Sequence, residues 1–200
     1  METIRIIVVD RHELVALGIR SRLADAAEVE IVGHTRTGKE LLDRLRETQA
    51  DLVLIDVSLH EMDGIDTTRH LNRHYPGLKV LAHSSLTEIE YINSMLIEGA
   101  SGYVLKDGPV DELAHAVRTI MGGGSYISPS AQSSIAQGYH FTAKRMGGDY
   151  IGLTNREREI IRMVALDLTN REIGAALFIT EDTVKTHRKH LMAKLNVRGV

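Results

Sequence analysis

The chain of 200 residues contains no cysteine, no tryptophan and only three prolines. Without cysteine it can form no disulfide framework, no thiolate metal site and no cysteine nucleophile. It has no apolar run of about 18 residues, which excludes a membrane span, and its start lacks the features of a signal peptide. The hydrophobic fraction of 43% and the charged fraction of 26% exclude a disordered or fibrous chain. We therefore expect a cytoplasmic, globular protein with no membrane partner.

Charge is divided unevenly along the chain. Residues 1–121 hold 13 Lys and Arg against 20 Asp and Glu, whereas residues 122–200 hold 11 against 7. The N-terminal part therefore carries a net charge of −7 and the C-terminal part a net charge of +4, which together give the total of −3. An acidic N-terminal part and a basic C-terminal part indicate two domains with different partners, and nucleic acid is the usual partner of a basic domain.

Residues 1–121 alternate short β-branched runs with segments whose apolar residues recur at helical spacing. Five such units predict an α/β domain with a five-stranded parallel sheet, helices on both faces and a flavodoxin-like strand order. In the first helix, Leu14, Leu17, Gly18 and Leu23 are predicted to share the buried face. The predicted strands begin near residues 4, 30, 52, 79 and 102.

A change of composition marks the end of this domain. Residues 122–152 contain seven glycines with scattered Ser, Gln and Tyr, which is typical of a linker. Ser128 is a good N-cap and Pro129 fits a first helical position, so a short helix over 129–137 is predicted inside the linker.

Residues 153–200 show no strand pattern and are predicted to form a small all-α domain. Thr154 and Thr169 each precede a Glu by three residues, which is the pattern of a capping box, and Thr180 caps a third helix. Helices are therefore predicted over 155–166, 170–177 and 181–195. The last two are joined by a tight turn and form a helix-turn-helix.

Polar side chains stand at the ends of four predicted strands. Asp10 follows the first strand and Asp56 the third, Ser84 follows the fourth, and Lys106 ends the fifth. The carboxyl ends of neighbouring parallel strands are where open α/β sheets bind ligands, so these side chains are expected to converge. Such a group can accept a phosphoryl group, because the carboxylate attacks while Lys and Mg²⁺ balance the charge.

These residues belong to short motifs that follow one another along the whole chain. In their order and spacing they resemble a bacterial response regulator of the NarL/FixJ family, with a receiver domain and a LuxR-type helix-turn-helix. The resemblance covers essentially all 200 residues. The motifs are Val9-Asp10, Leu54-Ile55-Asp56-Val57, Met62-Asp63-Gly64, Ser84, Gly102-Tyr103-Val104-Leu105-Lys106-Asp107, Leu153-Thr154-Asn155-Arg156-Glu157, Asn170-Arg171-Glu172-Ile173-Gly174 and Thr183-Val184-Lys185-Thr186-His187.

The resemblance implies a role for each matching residue of the receiver. Asp56 is then the phosphoacceptor, Lys106 the phosphate-binding lysine, Ser84 the switch hydroxyl and Tyr103 the rotating aromatic, with Asp10 and Asp56 as metal ligands. It also implies a transcription regulator of the two-component, phosphorelay type, whose receiver controls dimerisation and DNA binding and whose partner is a sensor histidine kinase.

One residue departs from the family pattern. The family has a pair of acids at the end of the first strand, and the second binds the metal, whereas this sequence reads Asp10-Arg11. A guanidinium repels Mg²⁺, so we expect Mg²⁺ binding to be weak or absent; Glu13 is a poor substitute because it begins a helix. In one alternative Arg11 turns to solvent and phosphorylation is normal. In the other, which we favour, Arg11 pairs with Asp56, and an atypical or orphan regulator works without phosphate.

The third helix of the C-terminal domain is the predicted DNA-recognition helix. It is long and basic, which fits the major groove, while Val184, Leu191 and Leu195 form an apolar stripe expected to pack on Ile160, Val164 and Ile173. The resemblance implies that Lys185, Thr186 and Lys189 face bases. Phosphate contacts are expected from Asn170, Thr183, Arg188 and His190.

A homodimer is expected, because a single helix-turn-helix buries too little surface to bind DNA tightly. Family members dimerise this domain through a fourth helix, which would begin just before the last residue, Val200. Either the sequence is truncated, or dimerisation rests in the receiver or the linker helix.

Two other classes of function compete with the regulator. A phosphatase with Asp56 as nucleophile would need an acid or base two residues on, where Ser58 stands, so no enzymatic activity is expected. An interaction module with a degenerate receiver pocket, controlled by a ligand or a protein, is the alternative that stays open.

Overall fold

The computed structural model describes residues 3–143, 155–177 and 179–195. The chain divides into two compact units, Met1–Arg145 and Met146–Val200. No helix within the described ranges is long and apolar enough to cross a membrane.

The first unit is built on a parallel sheet whose strands follow the β-branched runs of the sequence. The strand order is β2-β1-β3-β4-β5-β6, with every neighbouring pair parallel. The flavodoxin-like order is confirmed, but the sheet has six strands where we predicted five. The strands are β1 (Ile4–Val9), β2 (Val29–Thr35), β3 (Leu52–Ile55), β4 (Lys79–Ser84), β5 (Gly102–Leu105) and β6 (Tyr126–Ile127).

Helices cover both faces of the sheet, so alternate residues of the central strands pack into two separate cores. Ile7, Val53 and Ile55 face one core, and Ile6 and Leu54 face the other. The first core is closed by α2, α3, α4 and α6, and the second by α1 and α5. The helices are α1 (Glu13–Arg22), α2 (Gly38–Arg44), α3 (Gly64–His74), α4 (Ile89–Ile97), α5 (Glu112–Met121) and α6 (Pro129–Ala143).

Helix α1 buries a different face from the one we predicted. Leu14 and Leu17 are 82% and 54% exposed, whereas Ala16, Ile19 and Leu23 are buried. Because a helix turns by about 100° per residue, the stripe at positions 16, 19 and 23 points away from positions 14 and 17. Ala16, Ile19 and Leu23 pack on the sheet, so Leu23 is buried as predicted, whereas Leu14 and Leu17 remain at the surface.

The sixth strand comes from the segment that composition indicated to be linker. The Tyr126 N–H donates to the Ser101 carbonyl (3.2 Å), and the Ser128 N–H donates to the Tyr103 carbonyl (2.9 Å). Gly102 makes this pairing possible, since a Cβ there would lie 2.3 Å from the Tyr126 carbonyl oxygen. The first part of the predicted linker is therefore a strand of the sheet, admitted by a glycine of the neighbouring strand β5.

The helix predicted over 129–137 exists and extends to residue 143. The Ser128 hydroxyl accepts the Ala131 N–H (3.3 Å), which confirms the predicted cap. Ala131 is fully buried, and Ile135 packs partly against the same core as α4. Helix α6 is thus part of the first unit's packing.

The described residues of the second unit form three helices around a small apolar core of Ile160, Ile173 and Val184. The helices are α7 (Asn155–Ala165), α8 (Asn170–Leu177) and α9 (Glu181–Leu195). Each agrees with its predicted range to within a residue. Leu191 is also buried, as predicted, while the side chain of Leu195 lies outside the described residues.

The caps of α8 and α9 explain why these helices begin where they do. Thr169 and Glu172 form a reciprocal capping box: the Thr169 N–H donates to Glu172 Oε2 (2.8 Å), and the Glu172 N–H donates to Thr169 Oγ1 (3.3 Å). The Thr180 hydroxyl accepts the Thr183 N–H (3.2 Å) and so caps α9. The predicted cap at Thr154 lies outside the described residues.

Candidate functional site

Two carboxylates and one ammonium group meet at the carboxyl end of the sheet. Asp10 and Asp56 follow the adjacent strands β1 and β3 and are only 2% and 5% exposed. Lys106 follows β5, and its Nζ donates to Asp10 Oδ2 (2.6 Å) and to Asp56 Oδ2 (2.9 Å). The ammonium therefore bridges both acids. The convergence expected from the strand ends is present.

Backbone groups satisfy the other two carboxylate oxygens. The His12 N–H donates to Asp10 Oδ1 (2.8 Å), and the Ser58 N–H donates to Asp56 Oδ1 (3.3 Å). Burying a carboxylate is costly unless it is paired and hydrogen-bonded. These four contacts compensate two buried charges.

Arg11 does not reach the acids. Its Nε donates to His12 Nε2 (2.8 Å), its Nη1 lies 3.2 Å from His60 Nε2, and all three side chains are exposed. The expected pair of Arg11 with Asp56 is therefore wrong, and Arg11 turns to solvent, as in the alternative in which phosphorylation is normal. Lys106 already occupies the space between the acids, and a guanidinium is better solvated at the rim.

The described residues leave few oxygen ligands for a metal ion. Glu13, considered as a substitute carboxylate, pairs instead with Arg36 (3.4 Å) at the surface. Within the described part of the chain, no three His, Asp or Glu side chains are grouped to hold a metal. Mg²⁺ can bind through one or two carboxylates and water, and Asp10 and Asp56 are the carboxylates that would hold it, each beside the Lys106 ammonium.

Ser84 and Tyr103 lie behind the acids on the two neighbouring strands β4 and β5. Both are fully buried. The Tyr103 hydroxyl donates to the Leu86 carbonyl (2.8 Å), while the Ser84 hydroxyl accepts the Leu86 N–H (3.3 Å). Burial raises the pKa of Tyr103 above its usual value. The loop after β4 is thus held by both residues that the resemblance assigned to the switch.

Glycine at position 64 lets α3 begin against the strand end that carries Asp56. The Gly64 N–H donates to the Val57 carbonyl (3.0 Å). A Cβ on Gly64 would lie 2.3 Å from the Asp56 carbonyl oxygen and 2.7 Å from Val57 Cα. The Met62-Asp63-Gly64 motif therefore needs glycine at its third position because a larger side chain would not fit there.

His83 is a polar residue at this end of the sheet that the sequence reasoning missed. It is 5% exposed, and its Nε2 has no hydrogen-bond partner among the residues that the structure describes. Burial, assisted by the positive charge of Lys106, lowers the pKa of His83 to about 4. The imidazole is therefore neutral at physiological pH. One histidine near a strand end belongs to no recurring pattern, so its burial could not be predicted.

The second candidate site is the exposed face of α9. Lys185, Thr186 and Lys189 recur at helical spacing and are all exposed, opposite the buried Val184. The side chain of Lys185 also lies 3.1 Å from each of two acids in the first turn, Glu181 and Asp182. The sequence reasoning did not single out those acids.

The residues expected to meet phosphates are partly engaged with one another. Arg188 Nη1 donates to Asn170 Oδ1 (2.7 Å) and so ties α9 to α8, and the Thr183 hydroxyl lies 2.8 Å from the Thr180 hydroxyl. The side chain of His190 lies outside the described residues. Asn170 and Arg188 are thus placed side by side at the junction of the two helices.

Known protein families match both parts of the chain that carry the candidate sites. Residues 6–118 match the response regulator receiver domain, and residues 152–200 match the bacterial regulatory proteins of the luxR family. The chain belongs to the response regulator family. This regulator combines a receiver with a LuxR-type helix-turn-helix, as the NarL/FixJ resemblance implied.

Relatives of the regulator match over nearly its whole length. The response regulator protein VraR of Staphylococcus aureus (strain Mu3 / ATCC 700698) is 34% identical, over 98% of this chain and 92% of its own. The RcsB response regulator of Salmonella typhimurium is 26% identical with a TM-score of 0.64, covering 100% of this chain and 95% of its own. A LuxR-family response regulator from Aurantimonas sp. SI85-9A1 is 29% identical with a TM-score of 0.66, over 70% of this chain and 99% of its own.

Proposed function

We propose that this response regulator binds promoter DNA through α9 and controls transcription. The observation that carries the proposal is the exposed face of Lys185, Thr186 and Lys189 on a helix whose opposite face is anchored by Val184. A helix of this kind enters the major groove and reads base edges. The RcsB structure that the chain resembles is described in terms of DNA interaction, which is consistent with this role. A regulator that acts on bacterial DNA works in the cytoplasm, and we expect this one there.

The regulator acts as a homodimer in this proposal. A three-helix unit offers one short reading surface, and dimers reach two half-sites about one helical turn of DNA apart. Inverted or direct repeats are the expected operators. Asn170, Thr183, Arg188 and His190 would then contact phosphates and set the register without reading sequence.

We also propose that the receiver works without an obligatory phosphorylation step. Asp56 keeps the position of the phosphoacceptor, with Ser84, Tyr103 and Lys106 around it. Asp56 Oδ2 accepts from the Lys106 ammonium at 2.9 Å, which Asp10 shares, and Arg11 puts a positive charge at the rim where the family has a second acid. Weak Mg²⁺ binding follows, because an entering cation meets the Lys106 ammonium and a second positive group, Arg11, at the rim. A sensor histidine kinase is then a dispensable partner.

An interaction module controlled by a ligand or a protein is the second candidate function. The outward position of Arg11, with His12 and His60 beside it, favours it, because these side chains form an exposed polar rim over the pocket. Treatment with acetyl phosphate and Mg²⁺, followed by intact mass measurement, tests whether Asp56 becomes phosphorylated. Full labelling of Asp56 would contradict phosphorylation-independent control, and little labelling is expected.

A DNA-binding experiment tests the main proposal. The full chain is used to select binders from a pool of random duplexes, and its affinity for the recovered sequence is measured at fixed salt. Lys189→Ala should weaken specific binding by roughly 1–3 kcal/mol. Lys39→Ala, which removes an exposed lysine from α2, is the matched control and should change nothing. An unchanged affinity for Lys189→Ala would show that α9 is not the recognition helix.

A further inference from the structure

The reading face of α9 carries a carboxylate as well as its lysines. Positions 182, 185, 186 and 189 follow the spacing that places side chains on one face of a helix. Asp182, in the first turn, has a side chain that is 91% exposed. The helix therefore presents a negative charge where a purely phosphate-binding surface would have none.

Asp182 is also joined to the lysine next to it on this face. Lys185 Nζ lies 3.1 Å from Asp182 Oδ1, and the Thr186 hydroxyl donates to the Asp182 carbonyl (3.0 Å). A hydrogen-bond acceptor and a hydrogen-bond donor are thus held side by side on the exposed surface. The major-groove edge of a guanine–cytosine pair offers the complement, with O6 and N7 accepting on guanine and N4–H₂ donating on cytosine.

The neighbouring acid, Glu181, shares the lysine but lies elsewhere on the helix. Its Oε1 is 3.1 Å from Lys185 Nζ, and its side chain is 48% exposed. Position 181 precedes position 184 by three residues and position 188 by seven, so it lies toward the side that holds the buried Val184 and Arg188. Glu181 also favours the helix N-terminus electrostatically, as Asp182 does. Only the more exposed acid faces outward with the lysines.

We propose that Asp182 is a specificity-determining residue, which accepts a hydrogen bond from a cytosine amino group while Lys185 donates to guanine. The inference rests on the proposed binding of DNA by α9. A carboxylate among phosphates weakens binding to any duplex, so on a DNA-binding face it contributes to recognition by rewarding one base over the others. Asp and Glu accept from cytosine N4, whereas Asn bonds to adenine N6 and N7.

The test compares the base preferences of three variants with those of the wild-type full chain, by sequencing duplexes selected from a random pool. Asp182→Asn should change the preferred base at one position of each half-site from cytosine to adenine. Asp182→Ala should relax that position, with the discrimination falling by roughly 5- to 100-fold. Glu181→Gln, which removes a charge from the same turn, should leave every base preference unchanged.

The readouts separate this proposal from simple charge effects. All three variants remove one negative charge, so all three should bind non-sequence-specific duplex more tightly. An unchanged preference in both Asp182 variants, or an equal change in Glu181→Gln, would overturn the assignment. If the wild-type chain enriches no sequence at all, the DNA-binding function itself is wrong, and this result is distinct from enrichment without a role for Asp182.

Discussion

Removal of the Lys106 ammonium gives the most direct test of how the receiver pocket is held together. Lys106→Met keeps much of the apolar stem and deletes the charge that bridges Asp10 and Asp56. At 2.6 and 2.9 Å, with an effective dielectric constant near 20, each attraction has a gross magnitude of about 6 kcal/mol. Desolvation of the three groups offsets much of this. Deleting one partner of a buried ion pair costs roughly 3–5 kcal/mol, because the remaining charge is left uncompensated.

The assay is urea unfolding of the full chain, followed by circular dichroism with a chelator present so that no divalent ion replaces the lysine. We expect Lys106→Met to lower the free energy of unfolding by roughly 3–5 kcal/mol. Lys39→Met, at an exposed position on α2, is the control and should change it by less than about 0.5 kcal/mol.

A double-mutant cycle then isolates the contact. Asp56→Asn removes one of the two charges that Lys106→Met leaves buried, so the double variant should be more stable than the sum of the single effects predicts, by roughly 0.5–3 kcal/mol. A loss of less than about 1 kcal/mol for Lys106→Met, or strict additivity with Asp56→Asn, would refute the view that the ammonium balances the two acids.

Two further predictions concern the residues around the pocket. Arg11→Asp places a third carboxylate beside Asp10, so Mg²⁺ titration should show tighter binding and intact mass should show labelling of Asp56 by acetyl phosphate; a wild-type chain that is already fully labelled contradicts this. Because the pKa of His83 is about 4 in the folded state and near 6.5 in the unfolded chain, stability is fully present above pH 6.5 and falls by about 3 kcal/mol as the pH drops to 4. His83→Leu should remove that dependence in urea unfolding at several pH values, and equal slopes in both proteins would show another group to be responsible.

The main features of the fold follow from patterns that act locally. Continuous β-branched runs are buried on both faces in a parallel sheet, so five of the strands could be located from sequence. The capping box of Thr169 and Glu172 satisfies backbone donors that any helix start exposes, which is why α8 begins where predicted. The convergence of Asp10, Asp56 and Lys106 needed only the strand order, since parallel strands end on the same edge.

The features that could not be predicted depend on tertiary contacts. Strand β6 has two residues, too few for a periodic pattern, and it exists because the carbonyls on either side of Gly102 accept from the backbone N–H groups of Tyr126 and Ser128. The buried face of α1 was misjudged because hydrophobicity favours Leu14 and Leu17, while packing against the sheet selects the smaller Ala16.

Arg11 illustrates the limit most clearly. Its sequence position beside Asp10 is the same in both alternatives, and only the direction of a long side chain distinguishes them. That direction depends on Lys106, which reaches Asp56 from another strand, and on His60, which follows Asp56 in a loop. The effect of Lys106 and of His60 on the direction of the Arg11 side chain cannot be judged without the distances that the structure provides.

The charge of the pocket connects its geometry to its proposed mode of control. Asp10, Asp56 and Lys106 leave one net negative charge inside, and Arg11 adds one positive charge at the rim. A phosphoryl group on a side chain brings roughly −1.5 to −2 charges, which would need a cation beyond the one ammonium already shared by two carboxylates. In this chain the residue next to Asp10 is Arg11, which carries a positive charge where the family has an acid that binds the metal ion. A pocket already balanced in this way gains little from phosphorylation, so the unphosphorylated arrangement is the one we expect to support DNA binding.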